Sequence, residues 1–159
     1  MKCRAFFVED ITVVTRICDA APDAQIARQV SPDGALPAED ARTKSESYHA
    51  FALVALLDLA WLCRTASPAS PDLFVYQTRT GRSLRRAVEW MAPYANGSRH
   101  WDAGPQVRPF DPTVFTKIYR TAAIGFPENW QRFAAIARRP PGAAASAQQL
   151  LRPYPERNS

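Results

Sequence analysis

The feature that most constrains this chain is the run Tyr48 to Cys63, YHAFALVALLDLAWLC, where only His49 and Asp58 interrupt apolar side chains. A helix that is greasy nearly all round has no polar face to give to water, so other helices must enclose it. The remaining sequence offers such helices at the right spacing. Phe7, Ile11, Val14 and Cys18 recur at helical intervals and mark an amphipathic helix over roughly Cys3 to Asp19. Ala21-Pro22 interrupts it, and Asp23 to Val30 reads as a second short helix or a continuation. Pro32-Asp33-Gly34 is a turn signal opening a polar loop that runs to about Arg42. Thr43-Lys44-Ser45-Glu46 then reads as a capping box for the central helix. This puts Arg42 at the helix mouth and Tyr48 little more than one turn inside.

Beyond the central run, Asp72 to Tyr76 reads as a short helical turn and Ser83 to Met91 as a helix stopped near Pro93. Residues 93–111, rich in Pro, Gly and Asn, form an irregular connection. Asp111-Pro112 supplies a cap and a first-turn proline for a helix to about Ile124, with Gly125 as its stop. Pro127 to Arg139 repeats the pattern and ends at Pro140-Pro141. Helix, loop, helix at this rhythm builds a stack of helical hairpins, an all-α fold. At 159 residues and 47% apolar composition, one core-bearing domain is expected. The expected boundaries are a helical domain over 1–139 and a loosely ordered Pro/Ala-rich tail over 140–159.

Cys3, Cys18 and Cys63 are odd in number, sit among apolar neighbours and lack the short spacings of metal or redox motifs. They read as buried free thiols. No metal site and no cofactor is expected. No run reaches the roughly 18 apolar residues of a membrane span, and Met1 to Asp10 lacks the pattern of a signal peptide. Charge is uneven: residues 1–58 carry six Lys/Arg against nine Asp/Glu, whereas residues 59–159 carry fourteen against six. Most of the basic residues are arginine, whose planar fork suits carboxylates and phosphates. An acidic partner, uronate polymer or nucleic acid, fits this composition, but no dedicated nucleic-acid motif is present. Taken alone, the charge is better explained by a solvated basic surface.

The residues Pro32-Asp33-Gly34, Pro37, Glu39, Arg42-Thr43, Ser45 and Tyr48, running into the apolar helix, occur together at fixed offsets. They are followed by Asp72-Leu73-Phe74, Gly81-Arg82-Ser83-Leu84, Ala87 and Pro93-Tyr94, with a weaker echo from Trp101 to about Ala137. This pattern resembles the alginate lyase domain family of polysaccharide lyases. The resemblance implies a partial α/α toroid, with inner helices lining a groove for an acidic polysaccharide, and a β-elimination reaction. It implies Tyr48 as acid/base and Arg42 as the cation beside it, with Glu39, His49 and Trp101 as candidate substrate contacts. Within that set, Glu39 reads better as an orienter of Arg42. His49 points about 100° away from Tyr48 around a helix and reads as a satisfied or surface histidine. His100 and Trp101 share a Trp/Gly/Pro loop where stacking on a sugar is an option, but a plain loop role fits better. Asn96-Gly97-Ser98 is a glycosylation sequon by pattern and reads as a turn.

An Arg–Tyr pair suits the chemistry. An unperturbed phenol has a pKa near 10, so ionising it at neutrality requires roughly 4 kcal/mol of preference for phenolate. A cation about 4 Å away supplies on the order of 4 kcal/mol at an effective dielectric of 20, less what burial removes. A tyrosine acting only as acid needs less. Arg42 is then available to hold the uronate carboxylate and stabilise the enolate-like intermediate.

The family's Asn-Asn-His-Gly signature is absent: nothing before Ser31 is an asparagine or a histidine. The resemblance is therefore to the C-terminal half of such enzymes, and weak or no activity is expected of the chain alone. Glu46, His49 and Ala52 stand where members commonly carry an aromatic, a serine and an asparagine. The alternative expectation is a noncatalytic, arginine-rich helical module that holds acidic polysaccharide. Resembling enzymes are periplasmic or secreted, which this sequence by itself does not establish.

Overall fold

The computed structural model describes residues 10–138. Among them lie six α-helices and no strand: α1 (Ile11–Ala21), α2 (Pro37–Asp40), α3 (Ser45–Ala66), α4 (Leu84–Ala95), α5 (Thr113–Gly125) and α6 (Trp130–Ala137). The all-α expectation holds. The first residues of the expected N-terminal helix, Cys3 and Phe7 among them, and the expected tail lie outside the described residues.

Helix α3 is the central element, packing against α1, α2, α4 and α5. Leu53, Leu56, Leu57, Leu59 and Ala60 are buried along it. Each polar interruption of the apolar run has a charged neighbour: Asp58 pairs with Lys117 of α5 at 3.2 Å, and His49 faces Asp40 of α2. Enclosure is not complete, because Phe51 is 71% exposed. Contrary to expectation, one segment is long and apolar enough to cross a membrane, namely α3 itself. Half of its apolar window is buried against neighbouring helices, as in the core helix of a globular domain.

Other boundaries moved for local reasons. Asp10 caps α1, its carboxylate accepting from the Val13 amide at 3.1 Å. Pro22 does not stop the chain's helical course; a π-helical turn over Pro22–Ala27 absorbs its missing N–H. The end of that run is held by Arg82, which donates to the carbonyls of Ala27 at 3.1 Å and Val30 at 3.0 Å. Helix α4 begins about where expected, with Ser83 as its cap rather than its first residue, and runs past the expected stop at Pro93 to Ala95. Helices α5 and α6 form a hairpin through a 3-10 turn at Pro127–Asn129, closed over the fully buried Tyr119, Phe126 and Phe133. The Tyr119 hydroxyl donates to the Val88 carbonyl at 2.9 Å, tying this hairpin to α4.

Two further sequence expectations are overturned. Cys18 and Cys63 are not free thiols; they form a disulfide that joins α1 to α3 across 45 residues of sequence. Both are buried, and α1 brings its Val14–Cys18–Ala21 face onto α3, a proximity that no sequence spacing reveals. A polar seam continues the joint, with Ser67 bonded to Thr15 at 3.2 Å and Ser70 to Asp19 at 2.6 Å. Nor does a capping box start α3. The helix begins at Ser45, and Lys44 before it provides no side-chain cap. The loop after α4 does the work instead: the amide and the hydroxyl of Ser45 both donate to the Pro105 carbonyl at 2.9 Å, and the Trp101 indole N–H donates to the Ser45 hydroxyl at 2.7 Å. The Val107 amide donates to the Thr43 carbonyl at 3.0 Å, so the loop lies beside the chain entering α3. Gly104 makes the approach possible, since a Cβ there would meet the Asp40 carbonyl oxygen and the Ser45 side chain.

The disulfide closes a 45-residue loop, for which chain entropy gives about 4 kcal/mol. Reduction, or Cys18→Ser, should lower Tm by roughly 10 °C in thermal unfolding. Alkylation of the unreduced, denatured chain should modify one thiol of the three; modification of all three would rule the bond out. Gly104→Ala should destabilise by about 1–3 kcal/mol in denaturant titration through overpacking of the clamp.

Candidate active site

The segment that enters α3 is shaped by short-range hydrogen bonds. Ser31 and Ala35 close a turn, the Ser31 amide donating to the Ala35 carbonyl at 3.0 Å. The Asp33 carboxylate accepts from the Ser31 hydroxyl and the Ala35 amide. The Ser31 bond holds the Asp33 carboxyl below its ordinary pKa. Gly34, at φ +104, lies against the Arg86 carbonyl of α4 where any Cβ would collide. The buried Leu36 then anchors the start of α2, whose first residue is Pro37, a good position for a residue without an N–H.

Helix α2 ends by presenting Glu39 and Asp40 in different directions. Glu39 lies 3.7 Å from the Arg42 guanidinium, and that guanidinium sits 3.9 Å above the centre of the Tyr48 ring. Arg42 is half exposed, Tyr48 partly so. The structure therefore brings Glu39, Arg42 and Tyr48 together at the solvent-facing end of the central helix. The cation stacks on the face of the phenol rather than beside its hydroxyl, a cation–π arrangement that orders both side chains. Arg42 remains half exposed, with Glu39 beside its guanidinium at 3.7 Å.

His49 and Trp101 are placed otherwise. His49 is fully buried, with its ring stacked on Trp90 at 5.2 Å and edge-on to Trp101 at 5.0 Å. Its Nδ1 lies 2.9 Å from the Ser45 carbonyl. Burial pushes the imidazole pKa below its ordinary value, against smaller opposing pulls from the Ser45 carbonyl, Asp40 and Glu39. In this arrangement the ring is out of reach of a bound polysaccharide. Trp101 is half buried, and its N–H is committed to Ser45 and to the Gly104 carbonyl. With Trp90 and Tyr94 it forms an aromatic cluster under the loop. The Tyr94 hydroxyl donates to Asp102 at 2.8 Å, and burial together with that bond pushes its pKa up to about 12.

Sequence reading passed over Asp40, Trp90 and Asp102, and took Tyr94 only as part of the family pattern; all four lie behind the Arg42–Tyr48 pair. Asp40 lies in the segment that enters the central helix, and its spacing of nine from His49 gives no helical signal. No cluster of three or more His, Cys, Asp or Glu able to hold a metal occurs among the described residues.

The alginate lyase family model matches residues 2–101. Among solved structures, a crystal structure of an alginate lyase from Bacteroides ovatus superposes with a TM-score of 0.70 at 24% identity. The match covers 87% of this chain and 37% of that one, so the chain spans little more than a third of the length of that lyase. No match was found among curated proteins. The likeness to the solved lyase shows a shared fold, of the α/α toroid class. With the family model covering well over half of its residues, the chain belongs to the alginate lyase family.

Proposed function

We propose that this chain supplies the arginine–tyrosine arm of a polysaccharide lyase that cleaves a uronic-acid polymer such as alginate by β-elimination. The observation that carries the reading is the Arg42 guanidinium, held by Glu39 at 3.7 Å and stacked 3.9 Å over Tyr48 on the exposed end of α3. In the reaction, a base takes the proton from C5 of the uronate, and the electron pair spreads into the carboxylate. Arg42 binds that carboxylate and stabilises the enolate-like charge. The pair then returns to form the C4–C5 double bond as the C4–O4 bond breaks. The Tyr48 hydroxyl protonates O4, which leaves as the hydroxyl of the departing sugar. Tyr48 serves as the acid, its ring ordered by the Arg42 guanidinium stacked over its face. The C5 base is assigned to a segment bearing the Asn-Asn-His-Gly signature, which residues 1–30 lack.

The test is the absorbance of unsaturated uronate released from alginate and from glucuronan. The chain alone should release little or none, and joined to a segment carrying the missing signature it should turn over. In the active form, Tyr48→Phe should lower kcat by roughly 100-fold or more. Arg42→Ala should do likewise, with Arg42→Lys recovering part of the loss because it keeps the charge but not the fork. Full activity in Tyr48→Phe would reject the assignment. Salt-sensitive binding of alginate with no product from any form would instead make this a noncatalytic module for acidic polysaccharide.

A further inference from the structure

The surroundings of His49 leave one nitrogen without a partner. The Ser45 carbonyl, 2.9 Å from Nδ1, can only accept, so Nδ1 carries the hydrogen of the neutral ring. Nε2 is then a lone-pair acceptor. It lies 3.2 Å from Asp40 Oδ1, yet the two form no aligned hydrogen bond, and both atoms are shut off from solvent. Asp40 is the last residue of α2, next to Glu39, which holds Arg42. Its backbone carbonyl is pressed from the other side by Gly104. A single contact thus connects a buried ring in the core to the segment that sets the exposed cation.

We propose that His49 and Asp40 are a positioning pair for Arg42, and that proton uptake by the pair moves the Pro37–Arg42 segment and shifts the guanidinium from the Tyr48 ring. The uncharged ring fits its slot between Trp90 and Trp101. An imidazolium there would carry an N–H on Nε2 with no water to take it and a carboxylate oxygen off its axis. Satisfying that donor draws Asp40 into line, and the pull is passed to Glu39, its neighbour in the same short helical turn.

The charged and titratable groups around the ring are few. Helix α2 offers Asp40 and Glu39, and the first turn of α3 itself offers Glu46. From α4 come the uncharged Trp90 and Tyr94, and from the loop Trp101, with Asp102 occupied by Tyr94 and Arg99. Burial dominates and sets the proton affinity of His49 below the ordinary histidine value of 6.5. The sign follows: with a folded pKa below the unfolded one, the fold is favoured by the neutral ring. That contribution is lost as pH falls from about 6.5 through the folded value.

The inference rests on the proposed function only for what Arg42 does, and its test needs no activity. In an NMR titration of the chain, imidazole nitrogen shifts report tautomer and protonation for both histidines, with the exposed His100 as an internal reference. His49 should show the Nδ1–H tautomer at neutral pH and a midpoint below 6.5. The ring protons of Tyr48 should shift with that same midpoint as Arg42 leaves the ring face. Asp40→Asn removes the negative charge and places an amide N–H beside Nε2, so the His49 midpoint should fall by roughly one pH unit, with the Tyr48 step following it. Glu39→Gln, which leaves Asp40 in place, should move the His49 midpoint much less. A Tyr48 signal that ignores the His49 titration, or a midpoint unchanged in Asp40→Asn, would overturn the proposal. A chain that proves to have no lyase activity would leave these readouts standing.

Discussion

A 22-residue helix that is apolar on nearly every side can persist in water only where other elements cover it, and the architecture follows from that requirement. Helices α1, α2, α4 and α5 each take a face of α3, and the hairpin of α5 and α6 adds a second layer behind it. The two polar residues inside the apolar run escape the cost of burial in different ways. Asp58 reaches a lysine near the surface. His49 is carried to the core as a ring, with one nitrogen satisfied by its own helix.

The two ends of α3 are tied by unlike means. Near its C-terminal end a disulfide and a seam of hydroxyls bind α1 to the helix and to the turn that follows it. At the N-terminal end the loop of residues 101–107 holds the helix by backbone and indole hydrogen bonds, and its approach depends on the missing side chain of Gly104. The Arg42–Tyr48 pair therefore stands on a helix end fixed from beneath, while its own side chains face water. Side chains preorganised on a rigid support lose little freedom when a ligand arrives.

Local signals in the sequence were reliable where the physics is local. The Pro32-Asp33-Gly34 turn, the helix that starts at about Ser83 and the helix that ends at Gly125 depend on residues within a few positions of one another, and they occur where the pattern puts them. The capping box failed because a loop some sixty residues away supplies better partners to Ser45 than Thr43 and Glu46 do. Cys18 and Cys63 looked like separate apolar fillers because nothing in a spacing of 45 shows that two helix faces meet. Arg82 reads as part of a motif, whereas its guanidinium closes the end of a helical run more than fifty residues earlier.

By itself, the sequence determined an all-α chain around one enclosed helix, an arginine and a tyrosine near that helix's start, and the family to which this arrangement belongs. Hydrophobic period, caps and motif offsets are encoded by near neighbours, so they survive reading along one dimension. Tertiary structure alone decided that Arg42 lies over the ring of Tyr48 and that Trp101 faces inward. It also decided that His49 meets Asp40 in a dry contact without a hydrogen bond. Those outcomes depend on which surfaces are excluded from water when distant elements pack, and burial of that kind exists only once the chain has folded.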